Sequence, residues 1–121
     1  MRLVDRFKVL KEGGVIDRDT HDSLMRLLMR FEEYWHIPIN DDNGAGLMTY
    51  LALMLMRFKR GEVTAPMADS VYEELKRNTE IFSKSEKIID DIESMLQMQI
   101  PLSERQYLQA NLHTILNPDI I

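Results

Sequence analysis

The sequence predicts an all-α bundle with short connections, and three observations support this fold class. Apolar residues recur at intervals of three and four along several segments, which is the spacing of one helix face. No stretch alternates apolar and polar residues for long enough to form a strand. One segment, Leu47–Phe58, holds a single charged residue, Arg57. That segment is too apolar for a surface helix and too short to cross a membrane.

This apolar segment is the predicted centre of the fold. Glycines stand before it at positions 44 and 46, and Lys59, Arg60 and Gly61 follow it, which is typical of a helix C-terminus. We therefore expect a central helix from about Gly46 to Arg60. Its composition predicts that it is buried on nearly every side and that the other helices cover it.

Two helices are predicted before the central one. The first is short, ends at Gly13 and Gly14, and forms an N-terminal helical extension (residues 1–14) to a main domain (residues 15–121). The second runs from about Asp19 to Trp35 and ends before Pro38, because proline disfavours helical dihedrals in the residue before it. The apolar faces comprise Leu3, Val4, Phe7 and Leu10 in the first helix, and Leu24, Leu27, Leu28, Phe31, Tyr34 and Trp35 in the second.

Three further helices follow the central one. Pro66 suits the first turn of the next helix, to which Met67, Val71 and Leu75 give an apolar side. Another runs from near Glu80 to Gln97. Pro101 interrupts the chain, and Ser103 with Gln106 is the pattern of a capping box at the start of a last helix that extends to Asn117.

Composition excludes several classes of function. With 121 residues and 45% apolar content, the chain is expected to form one folded domain. A net charge of −5 disfavours direct nucleic-acid binding. The absence of cysteine excludes disulfides and thiol chemistry, and no secretory signal or membrane segment is evident, so we expect a cytoplasmic protein.

The sequence contains no pattern that predicts catalysis or a metal site. The histidines, His21, His36 and His113, do not stand at helical ligand spacing. The stretch 17–22 resembles a calcium loop but lacks the glycine at its sixth position and a glutamate at its twelfth, so we expect ordinary solvated or capping acids there. Asp90 and Asp91 are neighbours on a predicted helix and point about 100° apart. We expect no enzyme activity, no catalytic residue, no cofactor and no metal.

Two motifs resemble the signatures of the phosphotransferase-system regulation domain (PRD) family. The first comprises Leu47–Leu51 followed by Arg57–Glu62; in the family, a histidine stands seven residues before the arginine. The second is Ile100–Leu112, which matches a Glu-x-x-Tyr-Leu-x-x-His-Leu/Ile element. The resemblance covers about residues 17–116.

This resemblance implies a compact five-helix domain that often dimerises, here with the extra N-terminal helix. Family members regulate transcription, and phosphocarrier proteins phosphorylate their histidines. In this sequence Tyr50 occupies the first phosphoacceptor position and Asn111 the second, and neither can carry phosphate on an imidazole nitrogen. The polar residues of the two motifs that remain are Arg57, Glu104 and Tyr107.

We therefore expect a stand-alone, non-catalytic regulatory module that acts by protein–protein contact, as a homodimer or with a phosphotransferase or operon-encoded partner. Tyr50 and Asn111 either keep a polar cluster with Arg57 in a locked, unphosphorylated-like state or simply fill the space of a lost site. The alternative function is a regulator that phosphocarriers still phosphorylate on a non-standard histidine such as His113.

Overall fold

The computed structural model describes residues 2–117, and all of the regular secondary structure in this range is helical. The six helices are α1 (Leu3–Glu12), α2 (Arg18–Glu33), α3 (Ala45–Lys59), α4 (Asp69–Arg77), α5 (Thr79–Leu96) and α6 (Leu102–Leu116). The all-α prediction is confirmed, with the additional N-terminal helix present as α1. The chain divides into two compact units, the first of which ends at Glu62. The predicted domain boundary at residue 14 stays a prediction.

The first unit contains α1, α2 and α3. Helix α1 packs on α2 and buries Leu3 and Phe7. Helix α2 packs on α3 and buries Leu24, Leu27, Leu28 and Phe31 of the predicted apolar face. The inclusion of Tyr34 in that face is wrong, because Tyr34 follows the end of the helix and is 57% exposed. Asp17 caps α2, because its Oδ1 accepts a hydrogen bond from the Thr20 backbone N–H at 2.8 Å. The expectation that Asp17 is an ordinary acid or cap is confirmed.

The end of α3 is tied to the start of α2 by an ion pair. Lys59 Nζ lies 2.6 Å from Asp17 Oδ2. The hydrogen bond from Lys59, together with that from the Thr20 backbone, lowers the pKa of Asp17 to about 2. Asp17 therefore stays ionised at any physiological pH.

The connection from α2 to α3 is a tight polar turn, as its Asn, Asp and Gly content predicts. Asn40 Oδ1 accepts hydrogen bonds from the backbone N–H groups of Asp42 and Asn43 at 2.8 and 3.0 Å. Gly44 ends the turn, and a Cβ atom at this position would collide with the side chain of Ile39. Glycine is therefore required sterically, although its backbone dihedrals are ordinary.

The second unit contains α4, α5 and α6. Helices α5 and α6 pack on each other, with Ile88, Ile89 and Ile92 facing a core that also holds Leu108 and Leu112. Helix α4 is shorter and contacts both α5 and α6. No residue of α4 is buried.

Two predicted helix starts are wrong. Helix α4 begins at Asp69, so Pro66 lies in the non-helical segment before the helix and not in its first turn. Helix α6 begins at Leu102, which places Ser103 inside the helix, and no side chain caps its N-terminus. The Gln106 side chain instead accepts a hydrogen bond from the Met67 backbone N–H, so the predicted capping box does not form.

The predicted burial of α3 on nearly every side is also wrong. Leu47, Met48, Leu51, Met54 and Leu55 are buried as expected, but Leu53 is 44% exposed and Phe58 is 52% exposed. Gly46 is exposed as well, and Tyr50 and Arg57 are half-buried. The helix is apolar all round in sequence, yet part of its circumference faces outward in the single chain.

Candidate functional site

The exposed part of α3 forms a continuous stripe along the helix. Gly46, Tyr50, Leu53 and Arg57 stand at intervals of four, three and four residues, so they share one face. Phe58, in the last turn, is also exposed but lies about 140° around the helix from Leu53, and we include it as the second exposed apolar side chain of α3. We call these five residues the α3 stripe. It presents two exposed apolar side chains, one aromatic ring with a hydroxyl and one guanidinium.

Tyr50 and Arg57 are in contact on this stripe. The Arg57 Cζ atom lies 5.3 Å from the centroid of the Tyr50 ring, which is cation–π distance. Residues seven apart point to nearly the same side of an α-helix, and the contact agrees with this spacing. The Tyr50 ring therefore lies against a cation; its assignment to the first phosphoacceptor position stays a prediction.

The second motif lies on α6, where its residues have separate roles. Glu104 is only 2% exposed, and its Oε2 accepts a hydrogen bond from the Thr64 backbone N–H at 3.1 Å. Asn111 Nδ2 donates to the Tyr107 backbone carbonyl one turn earlier in the helix, at 2.9 Å. Both Tyr107 and Asn111 are half-buried. The expectation that Asn111 joins Tyr50 and Arg57 in one polar cluster stays a prediction.

A buried polar network on α5 and α6 was not found by the sequence analysis. Gln109 is fully buried, and its amide Nε2 donates to Glu86 Oε1 at 2.8 Å and to the Phe82 carbonyl at 3.2 Å. Its Oε1 lies 3.1 Å from His113 Nε2. Because the amide oxygen can only accept, His113 donates its Nε2–H in this arrangement.

The same network continues to Arg105. Its guanidinium contacts three carboxylates, at 2.6 Å from Glu86, 2.8 Å from Asp90 and 2.8 Å from Glu93. Burial by itself would lower the pKa of Arg105, but the hydrogen bonds to Glu86 and Asp90 outweigh it and raise the pKa above its ordinary value. The sequence places Glu86, Asp90 and Glu93 along one side of α5, but it does not show that Arg105 of α6 faces them.

The three histidines differ in accessibility. His113 is 5% exposed, and burial lowers its pKa below the ordinary value of 6.5, so it is neutral at pH 7. The His21 side chain is 16% exposed, and its Nδ1 lies 3.1 Å from Asp22 Oδ1. His36 is exposed and has a positive φ of 55° just after α2. A docking protein could reach the imidazole of His36 more easily than the other two.

Comparison with known proteins gives the family. The sequence model of the PRD domain family matches residues 25–114, which is most of the chain. The chain belongs to the PRD family. The PRD is a regulatory domain. Both motifs that suggested the family, within 47–62 and 100–112, lie inside the matched range.

Two relatives have similar lengths to this chain. One is the uncharacterized protein YhfY of Escherichia coli (strain K12), which is 30% identical over 111 residues, or 89% of each chain. The other is an uncharacterized protein of Haemophilus influenzae, which is 26% identical over 115 residues, or 95% of this chain and 91% of the relative. No solved structure matches.

Within residues 2–117 no helix is long and apolar enough to cross a membrane. The same part of the chain contains no group of three or more histidine, cysteine or acidic side chains placed to hold a metal ion.

Proposed function

We propose that this PRD is a non-catalytic, cytoplasmic regulatory module that acts by protein–protein contact and works as a homodimer through the α3 stripe. We further propose that it serves transcriptional or metabolic regulation in a bacterial sugar operon of the phosphotransferase type. The observation that carries the proposal is the exposure of Leu53 and Phe58 on an otherwise core-forming helix.

The composition of the stripe favours a protein surface as its cover. A contiguous exposed apolar patch marks an interaction site. Leu53 shares its helix face with the Tyr50 ring, and Phe58 adds a second exposed apolar side chain at the end of the helix. Tyrosine and arginine, here in contact with each other, are the residue types enriched at the energetic centres of interfaces. A second copy of the chain is the simplest cover, because a twofold interface uses the same patch on both subunits.

The residues at the two phosphoacceptor positions bear on whether phosphorylation can switch this regulator. Tyr50 offers a phenol and Asn111 an amide, and neither forms the phosphorylated imidazole on which the family's switch depends. We infer that the Tyr50–Arg57 contact holds the α3 stripe in a single, unphosphorylated-like conformation, so that the interface does not switch. The competing interpretation, in which the two residues only fill space, gives the same fold but no role for this contact.

The oligomeric state of the full chain tests the proposal. Wild-type protein is expected to be dimeric in sedimentation velocity at micromolar concentration, and the Leu53→Lys, Phe58→Glu double variant monomeric. Val9 is 55% exposed on α1, so Val9→Lys is a matched control that should stay dimeric. A monomeric wild type that also captures no partner in its native host would contradict the proposal.

The rival function is phosphorylation on a non-standard histidine, and the exposure of His36 is the observation in its favour. The protein would be incubated with phosphoenolpyruvate and the general phosphotransferase components, with His36→Gln and His113→Gln as variants. Our proposal expects no histidine-linked phosphate. Histidine-linked phosphate that disappears in either His36→Gln or His113→Gln would establish the rival.

A further inference from the structure

The first unit contains a cleft between α1, α2 and the polar turn that precedes α3. Its volume is about 600 Å³, which lies within the range of roughly 300 to 1,000 Å³ that small-molecule binding sites occupy. Three buried apolar side chains and three partly exposed ones line it. These six are Leu3 and Val4 of α1, Met25, Leu28 and Met29 of α2, and Ile39 of the turn.

Helix α2 forms one side of the cleft. Its lining residues at positions 25, 28, 29 and 32 share one helix face, so the apolar side chains lead to Glu32 in the last turn of the helix. Met29 is 52% exposed on this side. Methionine adapts its shape to a ligand, and its thioether makes favourable contacts with aromatic rings. This side therefore suits an apolar body, and an aromatic one in particular.

The turn that borders the cleft is held in place by its own contacts. Asp41 Oδ1 accepts a hydrogen bond from Arg6 Nη2 at 2.9 Å, which ties the turn to α1. Asn43 Oδ1 accepts from the Asn40 backbone N–H at 2.7 Å, and Asn43 Nδ2 donates to the Pro38 carbonyl at 2.8 Å. A ligand therefore meets a preformed cleft, and little conformational entropy is lost in ordering it.

The charges that line the cleft identify the chemistry of its ligand. Glu32, Asp42 and Arg2 all line it and are exposed. Within residues 2–117 these three side chains make no ion pair, whereas Asp41 is paired with Arg6. The lining therefore has two carboxylates and one guanidinium outside ion pairs, which is an excess of one negative charge. A ligand of positive charge complements it.

We propose that this cleft binds a small organic cation, with an apolar, aromatic body and a protonated amine at one end. The body would cover the apolar lining, and the ammonium group would lie against Glu32 and Asp42. A small molecule suits the cleft better than a protein segment, because three elements of the chain enclose a space of small-molecule size. The inference goes beyond the proposed function and does not rest on it, since no residue of the α3 stripe lines the cleft.

The test compares three ligands with the same aromatic body on the full chain. Phenylbutylamine carries a cation, phenylbutanol no charge and phenylbutanoate an anion. In a titration followed by ¹⁵N amide shifts, we expect phenylbutylamine to bind with a dissociation constant of about 1 mM. It should bind about fivefold more tightly than phenylbutanol and at least about tenfold more tightly than phenylbutanoate at low salt. The shifts should lie within residues 2–4, 25–32 and 39–42.

Variants of the lining charges should change binding of phenylbutylamine in opposite directions. Glu32→Gln with Asp42→Asn should weaken it about fivefold and leave binding of phenylbutanol unchanged. Arg2→Gln removes a like charge and should strengthen it about twofold. The control, Asp69→Asn with Glu80→Gln, changes the net charge equally at two exposed acids outside the lining and should leave binding unchanged.

A variant of the apolar lining separates the contribution of the body from that of the charge. Met29→Gln should weaken binding of phenylbutylamine and phenylbutanol alike, about threefold. Leu102→Gln, at an exposed leucine of α6, is the control and should leave both unchanged. Circular dichroism verifies that each variant is folded.

Several results would overturn this inference. They are no saturable binding of phenylbutylamine at about 10 mM, equal binding of the three ligands, tighter binding of phenylbutanoate, equal losses in the site and control variants, or shifts outside the cleft. Self-association of the wild type that Met29→Gln abolishes would overturn it in favour of a second copy as the occupant. Failure of the homodimer proposal shows instead in the Leu53→Lys, Phe58→Glu variant, whose two positions do not line the cleft.

Discussion

Helices α3 and α6 distribute polarity in opposite ways. Helix α3 is the more apolar in sequence, yet it leaves Leu53 and Phe58 exposed. Helix α6 is mixed in sequence, yet it buries Glu104, Gln109 and His113. The buried polar groups of α6 have hydrogen-bond partners within their own unit, so they serve the fold. The exposed apolar groups of α3 are the basis of the proposed interface.

This difference teaches where a change should affect stability and where it should affect association. Removing one member of a buried polar network leaves its partners desolvated and unsatisfied, which is costly. Removing an exposed apolar side chain changes little in the isolated chain. The predictions below test this division, from the largest expected effect to the smallest.

Arg105→Met should give the largest loss of stability. The Arg105 side chain is 15% exposed and contacts Glu86, Asp90 and Glu93, so its removal leaves three neighbouring carboxylates without their cation. We expect a loss of about 3 kcal/mol in the free energy of unfolding, because Glu86 and Glu93, which are 32% and 27% exposed, would keep their charge in a partly buried site without a cation. Urea denaturation followed by circular dichroism measures it. An effect as small as that of a surface substitution would show that this network is dispensable.

Gln109→Leu should cost about 2 kcal/mol, since it removes the donor to Glu86 and to the Phe82 carbonyl and the acceptor for His113. Gln99 is exposed in the loop between α5 and α6, and Gln99→Leu is the matched control with an expected change below about 0.5 kcal/mol. Equal losses in the free energy of unfolding for the two substitutions, measured by urea denaturation, would contradict the role of the buried amide.

The pH dependence of stability should report His113. Its pKa is lowered in the folded protein, so the unfolded chain takes up a proton more readily as the pH falls below about 6.5. The stability due to the neutral imidazole is complete above that pH and decreases below it. Melting temperatures between pH 8 and pH 5 should therefore fall more steeply in the wild type than in His113→Gln. Parallel curves would exclude this role for His113.

Leu53→Ser should have the smallest effect on the free energy of unfolding of the monomer, within about 0.5 kcal/mol, because Leu53 is 44% exposed. Its effect on dimerisation should be much larger. Unfolding measured at two protein concentrations separates the two quantities. A large loss at the lowest concentration would show that α3 needs Leu53 for the fold itself.

Periodicity predicted most helices well, because helix position depends on local spacing. The ends of α2, α3 and α5 lie within two residues of the predicted ends. The contact between Tyr50 and Arg57 also follows from the sequence, since residues seven apart share a helix face. The family resemblance from the two motifs was confirmed over residues 25–114.

The errors arise where tertiary contacts decide. Ser103 and Gln106 match a capping box, but the Gln106 side chain is used by the backbone of Met67 instead. The exposure of Leu53 could not be predicted, because the apolar composition of α3 does not show which side of the helix its neighbours leave uncovered. The Arg105 network depends on how α5 and α6 face each other, which a single sequence does not reveal.

The contact between Gly44 and Ile39 has a consequence for evolution. Since any β-carbon at position 44 would overlap the isoleucine side chain, position 44 can change only if position 39 also becomes smaller. An alignment of homologues should therefore show covariation between them, with a larger residue at 44 found only where 39 has become small. Such a correlated pair would also help recognise diverged members of the family in which the signature motifs have faded.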